Sequence, residues 1–111
     1  MADKSQFYRG TLEGCILKII NDDDEVYGYE IAEKLKKYGL NDVSEGTIYH
    51  LLLRLEKNNF VNSVKRDSSF GPKRKYYNIS NLGKQELNHF YNNWLELRES
   101  IDKIFEDRKG D

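Results

Sequence analysis

The sequence is poor in groups that staple, span or coordinate. One cysteine, Cys15, stands among 111 residues, so no internal disulfide can form, and a reducing, cytoplasmic setting is expected. The two histidines, His50 and His89, lie far from Cys15 and from each other, which is no zinc pattern. No apolar run approaches membrane-spanning length, and the opening MADKSQFYRG lacks the apolar stretch of a signal peptide. There is no glycine-rich phosphate loop, no nucleophile beside a base and no carboxylate pair suited to a pocket. An enzyme is therefore not expected, nor is a metal or a cofactor.

Net charge is scarce too, at −1, but its distribution is uneven. Residues 1–33 hold eight acids against three bases; residues 34–75 hold ten bases against four acids; residues 76–111 hold seven acids against five bases. A middle of +6 between ends of −5 and −2 is a local footprint, and the local field matters more to an anionic partner than the total.

Apolar spacing divides the chain. Leu12, Cys15, Ile16, Ile19 and Ile20 fall at helical intervals, and the acidic run Asp22 to Glu25 ends that helix; Cys15 is expected to be a buried structural thiol. EVYGYEIAEKLKKYGL predicts a second, short helix through Tyr27, Ile31 and Leu35, with Gly39 as its C-cap. SEGTIYHLLLRLEKNN predicts a third, N-capped by Ser44, with Ile48, Leu51, Leu52 and Leu55 inward. Residues 60–66 and 73–79 alternate as strands around the turn-forming DSSFGP, giving a hairpin with a basic rim. From Ser80 or Asn81 to Glu106, Leu87, Phe90, Trp94, Leu97, Ile101 and Ile104 step by three and four, the seam of a helix that packs along its length on another.

The fold class expected is mainly α with a small β-hairpin. Residues 1–79 would form a winged helix-turn-helix and residues 80–111 a C-terminal dimerisation helix, in one compact unit. The outer face of the third helix carries Gly46, His50, Leu53 and Lys57, flanked by Thr47, Tyr49 and Arg54. Hydrogen-bonding, aromatic and basic groups together suit base edges and phosphates better than a plain solvated face does. Ser44, Gly46 and Thr47 at its start could offer backbone N–H groups to a phosphate. Plainer readings stand beside these: basic residues also protect exposed strand edges, and Asp22 to Glu25 can be a solvated turn. A winged helix can also be a protein–protein module that never touches DNA, and such a module should expose apolar residues on its wing.

Taken together, Tyr27-Gly28-Tyr29-Glu30, Gly46-Thr47-Ile48-Tyr49, Leu55-Glu56, Gly71-Pro72, Arg74-Lys75-Tyr76-Tyr77 and Gly83 resemble the PadR family of winged-helix transcriptional regulators, in its compact branch with one C-terminal helix. The likeness runs from about Leu12 to Trp94. One departure is His50, where the family often has proline, so base preference does not carry over. The resemblance implies a homodimeric, double-stranded-DNA-binding repressor on an inverted repeat, clasped through Leu87, Phe90, Trp94, Leu97, Ile101 and Ile104. It implies DNA contacts from Tyr29, Ser44, Gly46, Thr47, Tyr49, His50 and Arg54, and from the wing residues Lys65, Arg66, Lys73, Arg74 and Lys75. Some members hold a flat aromatic effector between symmetry-related aromatics. Phe90, Tyr91 and Trp94 would serve there, beside the plainer reading of Trp94 as a dimer-core aromatic.

Overall fold

The structure is a computed structural model, and it describes residues 7, 8 and 10–107. Its elements run α1 (Thr11–Asp22), β1 (Val26–Tyr27), α2 (Gly28–Lys37), α3 (Glu45–Lys57), β2 (Val61–Arg66), β3 (Arg74–Ile79) and α4 (Asn81–Asp107). Ile16, Leu17 and Ile20 of α1, Ile31 and Leu35 of α2, and Leu52 and Leu55 of α3 meet Val26, Val61 and Tyr77 of the sheet in one core. Each such aliphatic side chain, fully buried, contributes about 1.5–3 kcal/mol.

The helices end for local reasons. Lys37 closes α2, and Gly39 takes a left-handed φ of 97°, as its lack of a Cβ permits. Its N–H reaches the Lys36 carbonyl at 3.0 Å while Leu40 N–H reaches Leu35 at 2.9 Å. The same paired closure ends α3, with Asn59 at φ 64° in glycine's place and bonds from Asn59 to Glu56 and from Phe60 to Leu55. At the start of α3, Ser44 Oγ accepts the Thr47 N–H at 3.1 Å, as expected of an N-cap.

Two expectations are corrected. The second helix begins at Gly28 and does not include Tyr27: Val26 and Tyr27 form a short strand that pairs with Tyr77 and Tyr76 of β3. The hairpin is thus part of a three-stranded antiparallel sheet of order β1-β3-β2, with β3 in the middle. Helical spacing at Tyr27, Ile31 and Leu35 concealed this, because two residues are too few to show a period of two. Cys15 is half-buried beside the core rather than inside it; burial still raises its thiol pKa, which favours the protonated form.

The last helix springs from a tight junction. Ser80 Oγ donates to the Asn59 carbonyl at 2.6 Å and accepts the Gly83 N–H at 2.9 Å. A Cβ on Gly83 would lie 2.0 Å from the Phe60 carbonyl oxygen, so only glycine lets α4 leave at this angle. On α1, Gly14 leaves room for the Phe90 ring; a Cβ there would lie 2.2 Å from it. Leu87 likewise packs against the core. The seam expected to serve a partner therefore begins inside this protomer: Leu87 and Phe90 lean on the chain's own body, and only the later positions are bare. Trp94 is 38% exposed and Ile104 67%, with Leu97 and Ile101 between those values.

Candidate nucleic-acid interface

The interface begins with strand parity. Successive side chains of a strand point to opposite faces. In register, Arg66 lies opposite Arg74, Val64 opposite Tyr76, Ser63 opposite Tyr77, and Lys65 opposite Lys75. Tyr77 is buried, so Lys75 and Lys65 share the side turned to the body. Arg66, Arg74, Val64, Tyr76 and Tyr27 share the outward side. The run Lys73-Arg74-Lys75, one basic cluster in the sequence, is thereby divided between two faces.

On the inner side, Lys75 Nζ donates to Glu56 Oε1 of α3 at 2.9 Å, and Ser63 Oγ donates to Glu56 Oε2 at 2.6 Å. The Ser63 bond, aided by Lys75, holds the Glu56 carboxyl below its ordinary pKa, and Glu56 in turn raises that of Lys75. This triad braces the wing against α3. Lys75, expected as a DNA contact on the wing, is here paired with Glu56. On the outer side, the Arg74 guanidinium sits 4.9 Å from the Tyr27 ring centroid and Arg66 5.6 Å from that of Tyr76. Tyr27 and Tyr76 themselves lie 5.7 Å apart. Arg66 also forms two hydrogen bonds with Glu25, at 2.7 and 2.9 Å. Lys73 lies 3.9 Å from Asp67, a loose surface pair, and Lys65 is exposed.

On α3, Gly46, Thr47, Tyr49, His50, Leu53, Arg54 and Lys57 are all exposed, opposite the buried Ile48, Leu52 and Leu55. The rings of Tyr49 and His50 are 6.2 Å apart. Ser44 is exposed but its hydroxyl is committed to the helix cap and to Thr47 Oγ1 at 2.9 Å. Arg54 Nε approaches Glu13 Oε1 of α1 at 3.3 Å, tying α3 to the first helix. Tyr29 is exposed at the start of α2, and Glu33 one turn on raises its phenol pKa. The Glu30 carboxylate accepts the Tyr27 N–H at 3.0 Å and fixes the start of α2. The structure thus gathers Tyr29, the α3 face and the outer wing arginines on exposed surface, and draws Lys75, Arg66 and Arg54 into ion pairs.

Sequence reasoning missed Glu56, Glu25, Glu13 and the stacking role of Tyr76. Parity offered one usable signal: Lys75, Tyr77 and Ile79 share a face, so a buried Tyr77 turns Lys75 inward. The pairings of Glu25 with Arg66 and of Glu13 with Arg54 join distant segments and leave no local trace.

The profile of the PadR-like family of transcriptional regulators matches residues 16–89. A protein of Lysinibacillus sphaericus without an assigned function is 38% identical over 105 residues, covering 93% of this chain and 95% of that one. A crystal structure of a PadR-like transcriptional regulator from Bacillus cereus superposes with a TM-score of 0.78 at 45% identity, covering 90% of this chain and 96% of that one. A PadR family transcription regulator from Clostridium difficile gives 0.74 at 31%, covering 86% and 99%. With a winged helix-turn-helix, a basic wing and a single long C-terminal helix already in view, the chain belongs to the PadR-like family of transcriptional regulators.

Proposed function

We propose that this regulator is a homodimeric repressor that binds an inverted-repeat operator. In this reading residues 1–79 are the DNA-binding part and residues 80–111 the dimerisation part. The observation that carries it is the bare apolar stripe on α4: Trp94, Leu97, Ile101 and Ile104, on a 27-residue helix whose later turns leave the body. At about 1.5 Å per residue such a helix is some 40 Å long, enough for two copies to clasp along several turns. To reach successive major grooves, such a clasp must set the two copies of α3 about 34 Å apart. Tyr49, His50 and Thr47 would then meet base edges. Tyr29, Gly46, Arg54, Lys65, Lys73 and Arg74 would meet phosphates, with Ser44 holding the helix start in place. Trp94 with Tyr91, both exposed, offers a planar aromatic effector a stacking surface, and Phe90 borders it.

One observation suits the other reading, a protein–protein module: the Phe70 ring at the hairpin tip is 95% exposed. Binding of a labelled fragment of the protein's own promoter region, measured with sedimentation of the free protein, tests the proposal. Dimers that bind the fragment, and release it on adding a planar aromatic compound from a panel, support it in full. A monomer in solution, or indifference to every duplex at low ionic strength, defeats it. Binding without release removes the effector alone.

A further inference from the structure

We propose that Glu25 limits how strongly the wing grips DNA of any sequence: its carboxylate holds Arg66 in the free protein, where a phosphate would otherwise sit. The inference rests on the reading that the outer wing meets phosphates. Arg66 lies at the end of β2, and Glu25 just before β1, with β3 between them. The guanidinium therefore reaches across the central strand, over the Tyr76 ring, to make its pair. Nε donates to Oε1 at 2.7 Å and Nη2 to Oε2 at 2.9 Å. Two parallel bonds of this kind are the fork that a guanidinium also offers to a phosphate.

Arg74 makes the contrast. It shares the outward face and a tyrosine stack, but among the described residues it has no ion pair. One wing arginine is thus aimed and free, and the other aimed and occupied. The occupied one is easily exchanged, because both partners of the pair are well exposed and such pairs stabilise little. When a phosphate takes Arg66, the abandoned carboxylate must gather a cation. The counterion released from the duplex is then offset by one taken up at Glu25, and Arg66 adds almost nothing to non-specific affinity.

The test is fluorescence anisotropy of the full chain with a labelled duplex of arbitrary sequence, across a salt series. Glu25→Gln is expected to tighten binding about three- to tenfold at low salt and to steepen the log K against log salt slope by about 0.9 per wing. Asp24→Asn removes the same charge one residue away, where no ion pair forms among the described residues, and its asparagine suits the φ of 62° there; it should leave the slope unchanged. In an Arg66→Gln background the gain from Glu25→Gln should vanish. The inference is overturned if Glu25→Gln behaves as Asp24→Asn does, if it weakens binding, or if its gain survives without Arg66. If Arg74→Gln flattens the slope while Glu25→Gln changes nothing, only the role of Glu25 is lost. If neither changes the slope, the wing reading falls as well, and the inference with it.

Discussion

The first helix and the last both carry apolar stripes, yet one stripe closes within the chain and the other does not. On α1, Leu12, Ile16, Leu17, Ile19 and Ile20 are buried among α2, α3 and the sheet. On α4, Leu87 and Phe90 lean on the body, after which Trp94, Leu97, Ile101 and Ile104 are all exposed, Ile104 the most. Periodicity tells that a helix has an inside. It does not tell whose inside, because the same three-and-four spacing serves an intramolecular core and an intermolecular seam.

That contrast can be broken from either side. Leu55→Ala empties a fully buried site of the body and should cost about 2–5 kcal/mol in denaturant unfolding, whatever the state of association. Ile101→Asp acts on the other region. It should weaken self-association by about 3 kcal/mol, read as a monomer by sedimentation, while the circular dichroism of the body stays native. If Ile101→Asp instead unfolds the chain at every concentration, the two regions are a single cooperative core and the distinction fails.

The two glycines at the junction sharpen the comparison. Gly83→Ala drives a Cβ into the Phe60 carbonyl, a backbone atom that cannot step aside, and should cost about 2–3 kcal/mol. Gly14→Ala meets the side chain of Phe90 instead. Its cost should be smaller, about 1–2 kcal/mol, and should be largely recovered in combination with Phe90→Leu; equal and unrecoverable losses at both sites would contradict the packing described.

The smallest effect belongs to the brace between wing and α3. Glu56→Gln should cost at most about 1 kcal/mol, since Glu56 and Lys75 are each about a third exposed. Its pH dependence carries the sign. The Glu56 pKa is lowered on folding, chiefly by Ser63, so that contribution is present above the unfolded carboxylate value and is lost as pH falls through the folded one. The Lys75 pKa is raised by Glu56, so that contribution is present below the ordinary lysine value and is lost as pH rises through the raised one. Wild type and Glu56→Gln should therefore differ most near neutral pH and converge in strong acid; a gap that widens in acid would contradict the triad.

The helical elements were legible because their signals are local. Ser44 before Glu45, Gly39 after Lys37 and the four aliphatics of α3 each act within one or two turns of chain, and the exposed face they leave is the one the sequence marks as polar, aromatic and basic. The short strand at Val26–Tyr27 was not legible, because its partner lies some fifty residues on at Tyr76 and Tyr77.

By itself, then, the sequence determined the order of the four helices and the hairpin, their caps, the inward stripes and the location of the basic middle. These rest on backbone geometry and the burial of nearby apolar groups, which a linear pattern encodes. Only the tertiary structure decided which cations stand free. Strand parity turned Lys75 onto Glu56, nineteen residues away, and sheet order carried Arg66 across β3 to Glu25, forty-one residues away. An ion pair depends on where two distant backbones come to rest, and no spacing rule along one chain contains that distance.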